Sequence, residues 1–211
     1  MHTPSAPSPI FLSHGSPMTA LEPREAGAFM QRLGPAIDAS FGRPRAVLAV
    51  SAHTLARAPV LLAGPRHEAV YDFGGFDDRL YTLRYDAAGA PQLATQVQTL
   101  LQDAGIEVQR VDQGGLDHGI WTPLRYLWPQ ADVPVLPLAF VPTWSPRQLF
   151  DFGAALAPLR GRLDVGLHLD ATSPFAALAG HGAGLGAVMF GLWFVLPLWV
   201  RRSKQRSSRR I

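Results

Sequence analysis

Short apolar runs alternate with helix-like periodicities along the chain, and this alternation predicts the fold. Two of the runs, residues 10–12 and the residues after Arg45 up to Val50, are apolar segments typical of short buried strands. Each run leads directly into a turn of small residues that contains a histidine, His14 in the first turn and His53 in the second. Ligands of open α/β sheets bind outside the carboxyl ends of the strands, so both histidines are predicted at that edge.

Between the apolar runs, residues at helical spacing predict amphipathic helices. The first covers residues 22–41, although Gly34-Pro35 should interrupt or kink it. Residues 91–105 form the clearest helix, and 121–128 a short one. A further helix over 145–159 begins with a serine N-cap followed by proline at its first position.

Three further segments, 59–63, 106–111 and 133–140, are predicted strands. Two prolines in the last segment favour a sheet edge or a strand end over the centre of the sheet. The order of elements predicts an α/β fold: a single domain with one central mixed sheet flanked by helices and a metal site at the sheet edge.

Composition supports one globular domain, since the chain has 211 residues and 47% of them are hydrophobic. The absence of cysteine excludes disulfides and thiolate metal ligands and fits a reducing compartment. The first nine residues lack the basic, apolar and small-residue order of a signal peptide. Together these features predict a cytoplasmic location.

Charge is concentrated at the C-terminus. The chain carries a net charge of +3, but six basic residues lie within 201–211, and without them the net charge is −3. The body of the chain is therefore mildly acidic, and no nucleic-acid partner is predicted.

Residues 183–200 are an 18-residue run without a charged side chain, directly before the basic cluster. A helix of this length spans about 27 Å, close to the hydrocarbon thickness of a bilayer. Membrane association through this segment is therefore one interpretation. A buried helix or a shift of reading frame are the alternatives.

Three of the seven histidines, His14, His53 and His118, lie beside predicted strands and are bracketed by small residues. Neutral imidazole is the commonest metal ligand among side chains, so a shared metal site is predicted. His2 and His67 lie in polar surroundings and are predicted to be solvated. The chain shows neither a Gly-x-Ser-x-Gly nucleophile elbow nor a nucleotide-binding loop in the required context, so no cofactor-binding loop is predicted.

Four motifs in order resemble the class III extradiol ring-cleavage dioxygenases, and within them the branch that acts on 4,5-DOPA and related catechols. They are Phe-Leu-Ser-His-Gly-Ser-Pro-Met (11–18), Val-Ser-Ala-His (50–53), Tyr-Asp-Phe-Gly-Gly-Phe (71–76) and Leu-Asp-His-Gly-Ile-Trp (116–121). The resemblance implies a dioxygenase-like α/β domain over 8–170, C-terminally incomplete, followed by a non-family segment over 171–211.

The resemblance also implies roles for the histidines. His14 and His53 would be ligands of a divalent metal, Zn²⁺ or Fe²⁺, and His118 the acid/base residue beside the substrate. The implied partners are a small aromatic diol and O₂. The oligomeric state is left open.

The C-terminal part departs from the family pattern. A third metal histidine is expected near Pro174, where the sequence has none, and His168, Asp170 and His181 are the candidate substitutes. The alternative hypothesis is therefore a catalytically inactive relative, anchored to a membrane by residues 183–200.

Overall fold

The computed structural model describes residues 9–159, which form a mixed sheet with surrounding helices. Six strands lie in this part of the chain: β1 (Val47–Ala49), β2 (Val60–Leu62), β3 (Arg66–His67), β4 (Ala87–Ala88), β5 (Gln109–Val111) and β6 (Val135–Ala139). The α-helices are α1 (Arg24–Phe41), α2 (Pro91–Asp103), α3 (His118–Leu127) and α4 (Pro146–Leu156). Two short 3-10 helices cover Pro17–Ala20 and Asp78–Thr82.

The main sheet has the strand order β1-β6-β2-β5, and β3 pairs with β4 in a separate two-stranded sheet. Strand β6 runs parallel to β1 and antiparallel to β2, while β2 and β5 are parallel. The predicted α/β fold with one central mixed sheet is therefore confirmed.

The predicted edge position of the proline-containing strand is wrong, because β6 lies between β1 and β2. Pro137 occupies the point where the pairing changes sides. The strand is in register with β1 up to Pro137 and with β2 from Leu138 onward. Proline has no N–H to donate, and Pro137 lies where pairing with β1 ends and pairing with β2 begins. A proline is therefore tolerated in this central strand.

Two further local predictions also need correction. Residues 10–12 do not form a regular strand, although Leu12 is buried in the core. Helix α1 is not interrupted at Gly34-Pro35. At Gly34 a Cβ atom would lie 2.1 Å from the carbonyl oxygen of Leu127, so glycine is what lets α1 approach the end of α3 this closely.

The core lies around the main sheet, where Val47, Leu48, Leu136 and Leu138 are fully buried. Helix α1 packs on α3, and α2 packs on α4. The predicted serine cap of α4 is observed as a full capping box, with Ser145 and Gln148 bonding to each other's backbone.

Among the helices of residues 9–159, none combines the length and apolar character needed to cross a membrane. The predicted membrane segment, 183–200, lies outside the described residues.

His67 is fully buried, so its predicted solvation is wrong. It lies in β3, opposite Ala87 of β4, and its ring packs against the backbone of Gly114. Burial lowers the pKa of His67 below its usual value, against a smaller raising effect of the Val135 backbone. The imidazole of His67 therefore binds a proton less readily in the folded protein than in the unfolded chain.

We predict that His67 makes folding sensitive to acid. Its pKa in the folded state lies below the ordinary 6.5, so protons bind preferentially to the unfolded chain as the pH falls through that value. The free energy of unfolding should then drop, relative to that of His67→Leu, by up to about 1.4 kcal/mol per pH unit. Urea denaturation of both proteins at several pH values below neutrality measures the difference.

A matched control is Gln96→Leu, an exposed position on α2 without a titratable group. Its free energy of unfolding should track that of the wild type at every pH. A constant difference between wild type and His67→Leu across the same range would contradict the assignment.

Candidate metal centre

His14, His53 and His118 converge on one point of the fold. One side-chain nitrogen from each ring lies within 4.8 Å of the others, and the ring centroids are 4.2 to 5.2 Å apart. His14 and His118 are buried, whereas 28% of the His53 side chain is exposed. The structure therefore brings together the three histidines that the sequence pattern placed in one site.

Each histidine comes from a different local structure. His53 lies four residues beyond the end of β1, as the pattern predicted. His14 precedes the 3-10 helix Pro17–Ala20, in a turn where Gly15 adopts a φ of +70° that favours glycine. His118 is the first residue of α3. The converging side chains thus come from a strand end, a loop and a helix N-terminus.

A buried carboxylate, Asp117, ties two of these structures together. It caps α3 by accepting a hydrogen bond from the backbone N–H of Ile120. It also accepts hydrogen bonds from the hydroxyls of Ser51, at 2.7 Å, and Thr54, which flank His53. Burial raises the pKa of Asp117, against the hydrogen bonds from Thr54 and Ser51, which lower it. The loop after β1 is therefore fixed to the start of α3.

A second carboxylate, Asp72, contacts His118 directly. Its Oδ1 accepts hydrogen bonds from the backbone N–H and from Nδ1 of His118, both at 2.9 Å. Its Oδ2 lies 4.0 Å from Nδ1 of His53. Burial acts to raise the pKa of Asp72, but the hydrogen bonds from His118 outweigh it and the pKa is lowered. The group is thus an ionised acceptor.

Sequence reasoning identified the histidines but neither carboxylate. Asp117 had a usable signal, because an aspartate immediately before a helix is a preferred N-cap. No sequence signal indicated Asp72, since nothing in an aromatic, glycine-containing loop points to a partner 46 residues further along the chain.

The electrostatics of the cluster favour neutral imidazoles. Burial lowers the pKa of His14 to about 3, with His118 and His53 lowering it further as neighbouring rings. Burial also lowers the pKa of His53, and the nearby His118 adds to this effect. Metal binding requires the neutral ring with its free lone pair, which is the form that this environment stabilises.

The distance between Nε2 of His14 and Nε2 of His53 is 3.2 Å. Two nitrogens bound to one zinc ion at about 2.0–2.1 Å, at a tetrahedral angle, lie about 3.4 Å apart. The observed pair is close to that separation, so His14 and His53 fit as neighbouring ligands of one ion. His168, Asp170 and His181, the candidate substitutes for a third ligand, lie outside the described residues.

An aromatic cluster borders His118. The Phe73 ring stands edge-on to the imidazole at 5.4 Å and contacts Tyr71, Tyr81 and Trp121. Hydrogen bonds hold this cluster in place, from Tyr71 to the Leu83 carbonyl and from Trp121 to the Val70 carbonyl. The aromatic loop over residues 71–76 is thus both a packed turn and one wall of the histidine site.

Residues 8–171 match the family described as the catalytic LigB subunit of aromatic ring-opening dioxygenase. The chain belongs to this family. The expected class III extradiol ring-cleavage family, in its DOPA-like branch, is confirmed by this match together with the relatives below.

The relatives of this LigB-family chain include proteins named 4,5-DOPA dioxygenase extradiol from plants and from Escherichia coli. The one from Beta vulgaris is 36% identical over 72% of this chain and 56% of its own length. That from Portulaca grandiflora is 38% identical, with the same shares covered. The Escherichia coli K12 protein is 35% identical over 72% of this chain and 54% of its own length.

A solved structure of an uncharacterized protein from Escherichia coli K12 resembles the LigB-family fold described here, with a TM-score of 0.59 and 30% sequence identity. The match covers 74% of this chain and 57% of that protein. The chain spans about half the length of the curated relatives it matches.

We predict that Asp117→Ala lowers the free energy of unfolding by about 3 kcal/mol or more. The substitution leaves the hydroxyls of Ser51 and Thr54 without their acceptor, at about 1–3 kcal/mol for a buried group. It also removes a helix cap worth about 1 kcal/mol. Urea denaturation of the two proteins measures the loss.

Asp77→Ala is the control, since Asp77 also caps a short helix but lies at the surface beside Arg79. Its loss of stability should not exceed the roughly 1 kcal/mol of an ordinary cap. Equal losses from the two substitutions would show that the buried contacts of Asp117 add nothing to an ordinary cap.

Proposed function

We propose that this chain carries the metal centre of an extradiol ring-cleavage dioxygenase that opens a small catechol-type ring with O₂. The convergence of His14, His53 and His118 within 4.8 Å carries the proposal. The LigB family match and the relatives named 4,5-DOPA dioxygenase extradiol support a DOPA-like substrate.

In this proposal His14 and His53 hold a divalent metal, Zn²⁺ or Fe²⁺, through their Nε2 atoms. The 3.2 Å separation of these atoms and the lowered pKa values of both rings support that role. When bound, such an ion would supply Lewis acidity and open coordination positions for the diol and O₂.

His118 is the proposed acid/base residue. Its Nδ1 is occupied by Asp72, so Nε2 is the nitrogen left to exchange protons. It would take a proton from a substrate hydroxyl and return one later in the reaction, as a general base and then a general acid. Phe73 beside it would pack against the substrate ring and exclude water.

We predict that His118→Ala abolishes turnover but leaves metal affinity within about threefold of the wild type, whereas His14→Ala and His53→Ala lose metal. Loss of a general base typically lowers kcat by about 10²–10⁴-fold. Turnover is followed by the visible absorbance of the ring-opened product from DOPA with Fe(II), and metal content by titration with Zn²⁺ or Fe²⁺.

His67→Leu is the control, since it removes a buried histidine outside the cluster. At neutral pH it should bind metal and turn over substrate as the wild type does. A wild type that binds no divalent metal would contradict the metal centre. Metal binding without turnover of any catechol would contradict the dioxygenase activity alone.

We infer a cytoplasmic location for the dioxygenase. The second candidate is an inactive relative held at a membrane, and the uncharged run over 183–200 followed by six basic residues favours it. Fractionation of expressing cells separates the two. The dioxygenase proposal predicts recovery in the detergent-free soluble fraction, whereas recovery with membranes, lost after deletion of residues 183–211, would establish the anchor.

A further inference from the structure

We propose that Asp72 is a positioning residue that fixes the orientation and tautomer of His118, so that Nε2 carries the reactive lone pair. This inference rests on the proposed role of His118 as the acid/base residue. It concerns a side chain that makes no direct hydrogen bond to the proposed metal ligand His53.

The hydrogen bonds define the tautomer. An ionised carboxylate only accepts hydrogen bonds, so the 2.9 Å contact between Asp72 Oδ1 and His118 Nδ1 requires the hydrogen on Nδ1. In the neutral ring Nε2 then holds the lone pair. Without this partner the imidazole is free to place its hydrogen on Nε2, where it would block proton uptake.

The same carboxylate oxygen also fixes where the ring is. Oδ1 accepts a second hydrogen bond from the backbone N–H of His118, the first residue of α3. One atom thus binds the backbone and the side chain of a single residue, which restrains the side-chain torsions of His118. Only 7% of the His118 side chain and 24% of the Asp72 side chain are exposed, so the imidazole side of the contact is shielded from water.

The backbone explains why Asp72 meets His118. Ala69 and Leu116 form a parallel bridge, and Val70 donates its N–H to the Leu116 carbonyl. From this bridge the two segments advance side by side, three residues to Asp72 and two to His118. Trp121 of α3 adds a hydrogen bond to the Val70 carbonyl. The segment just before Asp72 is therefore anchored both to Leu116, ahead of α3, and to Trp121 within α3.

Asp72 has a second neighbour, His53, to which it makes no hydrogen bond. Its Oδ2 lies 4.0 Å from Nδ1 of His53, which is too long for a hydrogen bond. The carboxylate therefore orients the proposed acid/base residue and leaves the proposed ligand His53 unrestrained by a direct bond. Removing it should affect turnover far more than metal binding.

Nitrogen NMR of histidine-labelled, metal-free protein tests the assignment without any catalysis. At about pH 8 the wild type should show His118 with a protonated Nδ1 and an unprotonated Nε2. In Asp72→Ala the Nε2–H form should predominate. Asp72→Asn keeps a carbonyl acceptor and should restore most of the Nδ1–H form. The His118 resonances are assigned by their loss in His118→Ala.

Kinetics with Fe(II) and DOPA provide the second readout. Asp72→Ala should lower kcat on the order of 100-fold, with KM and metal affinity within about threefold of wild type. The kcat of Asp72→Asn should be at least tenfold higher than that of Asp72→Ala. The control Asp77→Ala removes a nearby surface aspartate that does not contact His118, and it should change neither the NMR signals nor kcat.

Two results would overturn the inference: an Nε2–H tautomer of His118 in the wild type, or the same tautomer in wild type and Asp72→Ala. If the wild type shows no turnover, the proposed function fails while the NMR comparison still decides the role of Asp72. If Asp72→Ala loses metal together with kcat, the residue supports the metal ligands instead and the inference is wrong.

Discussion

The buried carboxylate of Asp117 is the contact on which the site depends. It is bonded at once to the hydroxyls of Ser51 and Thr54 and to the first turn of α3. Because these groups flank His53 and His118, one side chain fixes the separation between the loop after β1 and the helix. A buried carboxylate is tolerated there because hydrogen bonds replace part of its lost hydration.

The histidine cluster depends on a different physical effect, the suppression of charge on neighbouring rings. The rings of His14 and His53 share a small volume most favourably while both are uncharged, since like charges at this distance repel strongly. Burial supplies that condition by lowering the pKa of His14 and of His53. Asp72 then differentiates the third ring, because its carboxylate accepts a hydrogen bond from Nδ1 of His118. Similar residues thereby acquire different environments within one site.

The sequence anticipated the regular parts of the fold and missed contacts between distant segments. The alternation of apolar runs and helical periods led to the mixed α/β sheet, and the serine at 145 to a helix cap. The errors have local causes. Pro137 lies at a change of pairing partner inside β6, and His67 has polar neighbours in sequence but is covered by the backbone of Gly114 in space.

The sequence alone identified the candidate site residues, because small-residue turns around His14, His53 and His118 are local features that four motifs place in a known family. Only the tertiary structure decided which groups hold them. Asp72 lies 46 residues from His118, and Ser51 lies 66 residues from Asp117. Such pairs leave no periodic trace in a single sequence, since they arise from how the sheet and α3 pack together.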